Sequence, residues 1–173
     1  MRGTVILCHG SESGPDATKV SALARVAEAL GWKARRLDFR ADDAGGYAAA
    51  VPLRVARTAA AMREASRPLV LAGSSMGAFT SGLASLQAPC DGVFLIALPT
   101  MIPGYPQAFD MARDVPAMLV HGYEDSLCPV LAAQAFARSR GMPALLLPGD
   151  HRLADQVPVI ERAFSDFLAV AVA

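Results

Sequence analysis

The chain has 173 residues, 53% of them hydrophobic and 18% charged, with 16 basic residues balanced by 16 acidic ones. This length fits one domain, 1–173, with room for a substantial core, and neutrality excludes any implied polyanionic partner. Residues 1–67 hold eleven basic and seven acidic residues and 68–173 hold five and nine, a gradient too mild for nucleic-acid binding.

In chain order, short apolar runs alternate with helical patterns. Thr4–Cys8 reads as a first strand, closed by His9-Gly10. Asp16 is the expected cap of a helix that aligns Val20, Leu23, Ala24, Ala27 and Leu30 on one face and stops at Gly31. Lys33–Phe39 reads as a second strand. A polar loop, Arg40–Gly46, then leads to an Ala-rich helix expected to start near Pro52, a residue suited to the first helical position.

Four further apolar runs follow, Leu69–Ala72, Gly92–Leu98, Ala117–Val120 and Ala144–Leu147. A closing helix aligns Leu153, Val157, Ile160, Phe164, Phe167 and Leu168. Strands that are apolar throughout require cover on both faces. The expected fold is therefore α/β, a three-layer, doubly wound, mostly parallel sheet of about six strands.

No apolar run approaches the roughly 20 residues that span a bilayer; the longest are Gly92–Leu98 and Phe167–Ala173. The run Val5–Cys8 is far shorter than the hydrophobic region of a signal peptide. Cys8, Cys90 and Cys128 are odd in number and lack CxxC spacing, so neither a disulfide framework nor a zinc site is expected. The expected compartment is the cytoplasm, with no membrane partner.

Gly73-Ser74-Ser75-Met76-Gly77 has the GxSxG pattern between a strand and a helix. A serine hydroxyl becomes a useful nucleophile when a sharp turn projects it towards a base, and glycines two residues before and after relieve the crowding. Ser75 is the candidate nucleophile, and the N–H of Met76 is a candidate donor to the oxyanion. A glycine-rich turn alone has the same pattern, so the assignment depends on partners.

Three histidines are available. His9 and His121 each precede a glycine at a strand end and read as structural. His151, in the loop Pro148–Arg152 after the last strand, is the candidate base. Asp125, four residues beyond His121, is the candidate acid, with Glu124 as the competing carboxylate. The order Ser75, Asp125, His151 is the α/β-hydrolase order, not that of chymotrypsin or subtilisin. The loop His9–Gly14 follows a strand expected to neighbour that of Ser75, so the N–H of Ser11, or else of Glu12, is the second candidate oxyanion donor.

Together HGSESG at 9–14, GSSMG at 73–77, HGYEDSLCP at 121–129 and GDH at 149–151 resemble the α/β-hydrolase superfamily over nearly the whole chain. They are similar to its small members, the esterases, thioesterases and YqiA-like or dienelactone-hydrolase-like proteins. The resemblance implies a minimal hydrolase fold without a cap domain, in which Thr4–Cys8 corresponds to the family's third strand. It assigns Ser75, Asp125 and His151 as the triad and Ser11 and Met76 as the oxyanion donors.

Two departures matter. Ser75 stands where dienelactone hydrolases carry Cys, and the first loop lacks the HGGG of many lipases. Met101, Ile102 and Tyr105, in the segment Pro99–Asp114, are candidate substrate-pocket residues, and Arg40 reads as a solvated charge. The expected activity is hydrolysis of a small carboxylic ester or thioester through an acyl-enzyme, with no metal and no cofactor. The alternatives are a non-catalytic interaction protein on the same scaffold, or cleavage of amide or C–C bonds. Oligomeric state is not legible from the chain.

Overall fold

The computed structural model describes residues 1–171, so the last two positions of the stretch Phe167–Ala173 lie outside the described residues. Six strands, β1 (Thr4–Cys8), β2 (Lys33–Leu37), β3 (Leu69–Ser74), β4 (Gly92–Ile96), β5 (Ala117–Gly122) and β6 (Ala144–Leu147), form one sheet in the order β2-β1-β3-β4-β5-β6. Every neighbouring pair is parallel.

Among the described residues the α-helices are α1 (Thr18–Ala29), α2 (Tyr47–Glu64), α3 (Met76–Ser85), α4 (Val130–Ser139) and α5 (Val157–Val170). Strand side chains alternate between the two sheet faces, which sorts the core into two clusters. Ile6, Leu71 and Leu95 pack with Val55 and Met62 of α2, Phe79 of α3 and Ala133 of α4. Val5, Val70 and Phe94 pack with Leu23 of α1 and with Ile160, Phe164 and Phe167 of α5. Both faces of β1, β3 and β4 are fully covered, which is why these strands are apolar without alternation. The chain leaves β1 for one edge, returns beside it as β3, and then proceeds to the other edge. The order therefore reverses between β1 and β3, and their carboxyl ends open a crevice there.

Local signals misplace three boundaries. The cap of α1 is Ala17, with no side-chain bond; the Asp16 carboxylate instead accepts from Arg36 Nη1 at 2.9 Å. Helix α2 begins at Tyr47, five residues before Pro52, because Gly46 turns the chain at φ +84° and starts the helix there. Pro52 is tolerated inside because it faces solvent, where the Ala48 carbonyl it leaves without an N–H can meet water. Leu153 is buried but lies outside α5, in left-handed backbone at φ +52° ahead of a short 3₁₀ turn, Ala154–Gln156.

The segment Pro99–Asp114 is turns and bends without a helix, and no cap covers the sheet edge among the described residues. No described helix is long and apolar enough to cross a membrane.

Candidate active site

Ser75 directly follows β3 and caps α3 in backbone that L-residues rarely adopt, with φ +56° and ψ −123°. Its N–H is held by the carbonyl of Ile96 at 2.9 Å. The flanking glycines are steric necessities. A β-carbon on Gly73 would fall 2.3 Å from the Gly77 carbonyl oxygen, and one on Gly77 would fall 2.1 Å from that of Cys8. Tight packing of the α3 N-terminus on β3 and β1 thus aims the hydroxyl over the crevice.

Two loops converge on that hydroxyl. His151 Nε2 lies 2.9 Å from Ser75 Oγ, and His151 Nδ1 lies 2.8 Å from Asp125 Oδ2. Since Asp125 only accepts, Nδ1 carries the proton and Nε2 is left to accept from the serine. The Asp125 side chain is fully buried and that of His151 is 19% exposed. A hydroxyl, an imidazole and a carboxylate joined in this way can move the hydroxyl proton to the ring while the acid fixes the tautomer.

Asp125 is itself clamped. Its Oδ1 accepts from the N–H groups of Leu127 (3.0 Å) and Cys128 (2.7 Å). The buried His121 donates from Nε2 to the Cys128 carbonyl at 2.7 Å, and the same nitrogen lies 3.3 Å from Asp125 Oδ2. The sequence marks His121 as structural, and the fold places it behind Asp125. Glu124 bonds elsewhere, its Oε2 accepting from Gly149 N–H at 2.6 Å, which ties the Asp125 loop to the His151 loop. From the other side, Lys19 Nζ donates to the Arg152 carbonyl at 2.6 Å. Only proximity in the fold reveals these contacts, which leave no mark in the local sequence.

One carboxylate oxygen of Asp125, the Cys128 thiol and a His151 ring nitrogen lie within 4.8 Å of one another, a set that could hold a cation. Asp125 and His151 are engaged in the hydrogen-bonded chain, and burial pushes the Cys128 thiol up to about 12, with Asp125 adding to the effect. All three cysteines are buried and free.

Met76 opens α3, so its N–H has no helical acceptor, and neither it nor the Ser11 N–H finds a partner among the described residues. Gly10 approaches Ser75 closely; a β-carbon there would be 3.4 Å from Ser75 Cβ. A cavity of about 530 Å³ opens beside Ser11, bordered also by Ser13, Arg40, Asp43 and Tyr47.

The expected pocket residues Met101, Ile102 and Tyr105 do not line this cavity. Ile102 is buried in the core, Tyr105 sets its ring edge-on to Phe79 at 6.2 Å, and Met101 is exposed. Ile102 and Tyr105 thus pack on the core, while Met101 faces solvent. Arg40 borders the cavity, largely exposed and paired with Asp38 at 2.6 Å. A larger cavity of about 880 Å³ flanks the amino ends of β5 and β6, at the opposite sheet edge from Ser75.

Neither family models nor curated proteins match the chain. Solved structures do. A candidate hydrolase of the alpha/beta superfamily from Xanthomonas campestris pv. campestris is 42% identical, with 98% of this chain and 99% of that one covered at a TM-score of 0.93. An alpha-beta serine hydrolase homologue from Coxiella burnetii is 23% identical over 97% and 86% of the two chains, at a TM-score of 0.75. Mouse alpha/beta hydrolase domain-containing protein 10 is 18% identical over 98% and 93%, at 0.77. The last two share the fold; the first, alike in sequence over its full length, shows that this chain belongs to the α/β-hydrolase superfamily.

Proposed function

We propose that the protein is a serine hydrolase that cleaves a small carboxylic ester or thioester through an acyl-enzyme. One observation carries the proposal: Ser75 Oγ, His151 and Asp125 form a continuous hydrogen-bonded chain at the carboxyl edge of the sheet, with distances of 2.9 and 2.8 Å. Superfamily membership supports hydrolysis as the reaction class.

In the proposed mechanism, Ser75 Oγ attacks the carbonyl carbon as His151 Nε2 takes its proton. Asp125 holds the ring in register and stabilises the imidazolium. The carbonyl oxygen, now an anion, rests on the N–H groups of Met76 and Ser11. His151 returns the proton to the leaving alcohol or thiol. It then takes a proton from water as the water oxygen attacks the acyl carbon, and returns that proton to Ser75 Oγ as the acid leaves. The steps use side chains and backbone alone. The cavity beside Ser11 suits a small-molecule substrate. Three free, buried thiols are compatible with a reducing compartment, and we place the protein in the cytoplasm.

The test is turnover of short p-nitrophenyl esters by the wild type and Ser75→Ala. The proposal requires turnover to vanish in the variant, and unchanged turnover refutes it. A parallel panel of thioesters and amides assigns the bond that is cleaved.

A further inference from the structure

The largest fully buried side chain in the protein is a cation. Arg54 lies on α2, with no exposed surface and no place in the proposed chemistry. Its Nε and Nη2 each donate to one oxygen of Asp43 at 2.6 Å. Nη1 donates to the His9 carbonyl at 2.7 Å, and Nη2 reaches the Gly10 carbonyl at 3.2 Å. The guanidinium carbon stands 4.6 Å from the centre of the Phe39 ring. A buried charge is retained only where its partners are complete, and here the partners include two consecutive carbonyls of the loop after β1.

The Gly10 carbonyl has a second donor. His9 Nε2 accepts from the Phe39 N–H at 3.0 Å, so in the neutral ring the proton is on Nδ1, which donates to Gly10 O at 2.7 Å. In a planar trans peptide the carbonyl and the following N–H point in opposite directions. Two donors on Gly10 O therefore turn the Ser11 N–H the other way, and Gly10 itself lies against Ser75. Hydrogen bonds to a carbonyl also polarise its peptide and make the N–H a better donor. No such pair of donors holds the next peptide among the described residues, and Glu12 at φ +54° sends its side chain to the Tyr47 hydroxyl.

We infer that Arg54, with His9, is a positioning residue for the oxyanion hole: by gripping the Gly10 carbonyl it presents the Ser11 N–H, rather than that of Glu12, to the developing oxyanion. This inference rests on the proposed serine-hydrolase chemistry.

Removing an oxyanion donor outright costs about 10²–10³ in kcat, so misaligning one should cost about 10- to 100-fold. The experiment compares wild type, Arg54→Met with Asp43→Asn (which leaves no buried carboxylate unpaired), His9→Leu and His9→Asn. An Asn amide nitrogen can occupy the place of His Nδ1 and keep the donor to Gly10 O. Readouts are kcat and KM for a p-nitrophenyl ester, and affinity for a trifluoromethyl ketone, whose serine adduct carries the oxyanion, against that for the carboxylate product.

The expected result is a 10- to 100-fold fall in kcat for the Arg54 variant and His9→Leu, with KM within about twofold. Ketone affinity should fall by a similar factor while product affinity holds, and His9→Asn should recover most of the loss. If the Arg54 variant fails to fold, the two His9 variants decide. Equal kcat in His9→Leu and His9→Asn, or losses in ketone and product affinity alike, would overturn the inference. Labelling by a fluorophosphonate separates the two failures. A wild type that labels at Ser75 while the variants keep full kcat refutes Arg54 alone, whereas a wild type that never labels refutes the underlying chemistry.

Discussion

Gly77 sits directly against the carbonyl group of Cys8, leaving 2.1 Å between that oxygen and any β-carbon added at residue 77. Both groups are backbone, so neither can swing aside, and α3 would have to lift from β1 to admit a methyl group. Gly77→Ala should therefore lower stability by about 1–3 kcal/mol or more, and disturb Ser75 at the same helix end. Gly14→Ala is the control, since its nearest neighbour is the flexible Arg40 side chain at 3.7 Å. Urea unfolding of the two variants checks the contrast.

Asp125 and Glu124 are adjacent in sequence but differ in what they touch. Asp125→Asn keeps the shape but puts a donor where His151 Nδ1–H needs an acceptor. We expect kcat to fall by about 10³–10⁴ with an unchanged fold. Glu124→Gln retains an oxygen for the Gly149 N–H and should cost no more than a few-fold. Steady-state kinetics and far-UV circular dichroism on both variants test the assignment.

The buried thiols predict a pH effect on stability. Cys128 is pushed up to about 12 and Cys90 to about 11, each chiefly by burial. An acid held protonated in the fold contributes stability that is complete below its unfolded pKa and lost as pH rises towards the folded value. Each thiol should thus steepen the alkaline loss by about 1.4 kcal/mol per pH unit across that interval. Thermal melts between pH 8 and 11 should fall steeply for wild type and less so for Cys90→Ala with Cys128→Ala.

His9 gives the opposite sign. Burial, foremost, pulls its pKa below the ordinary histidine value, so the fold favours the neutral ring. Its contribution is present above about 6.5, the unfolded value, and is lost as pH falls towards the folded one. Melting temperature should decline from pH 7 to 5 in wild type and more gently in His9→Asn.

What could be read from the chain depended on how local its cause was. Strands β1, β3 and β4 are legible because cover on both faces demands uninterrupted apolar residues, and a glycine or polar turn closes β1 and β3. The start of α2 is not legible, because Pro52 imitates a first-turn residue while the real turn is set by Gly46. Ser75, Asp125 and His151 can be singled out because each follows its own strand, and parallel strands bring such loops to one edge. Arg54 cannot: an arginine in an Ala-rich helix reads as a solvated charge until Asp43 and two carbonyls are seen around it. The surroundings of the expected pocket residues are not legible for a related reason. That Ile102 is buried, Tyr105 packs on Phe79 and Met101 faces solvent is decided by tertiary packing, not by composition.

The most direct measurement is intact-mass and peptide mapping after exposure to a fluorophosphonate, on wild type, Ser75→Ala and His151→Ala. A working triad predicts one adduct per wild-type chain, located on Ser75, none on Ser75→Ala, and labelling slowed at least 100-fold in His151→Ala. A wild type that takes up no reagent, or an adduct rate indifferent to residue 151, would contradict it.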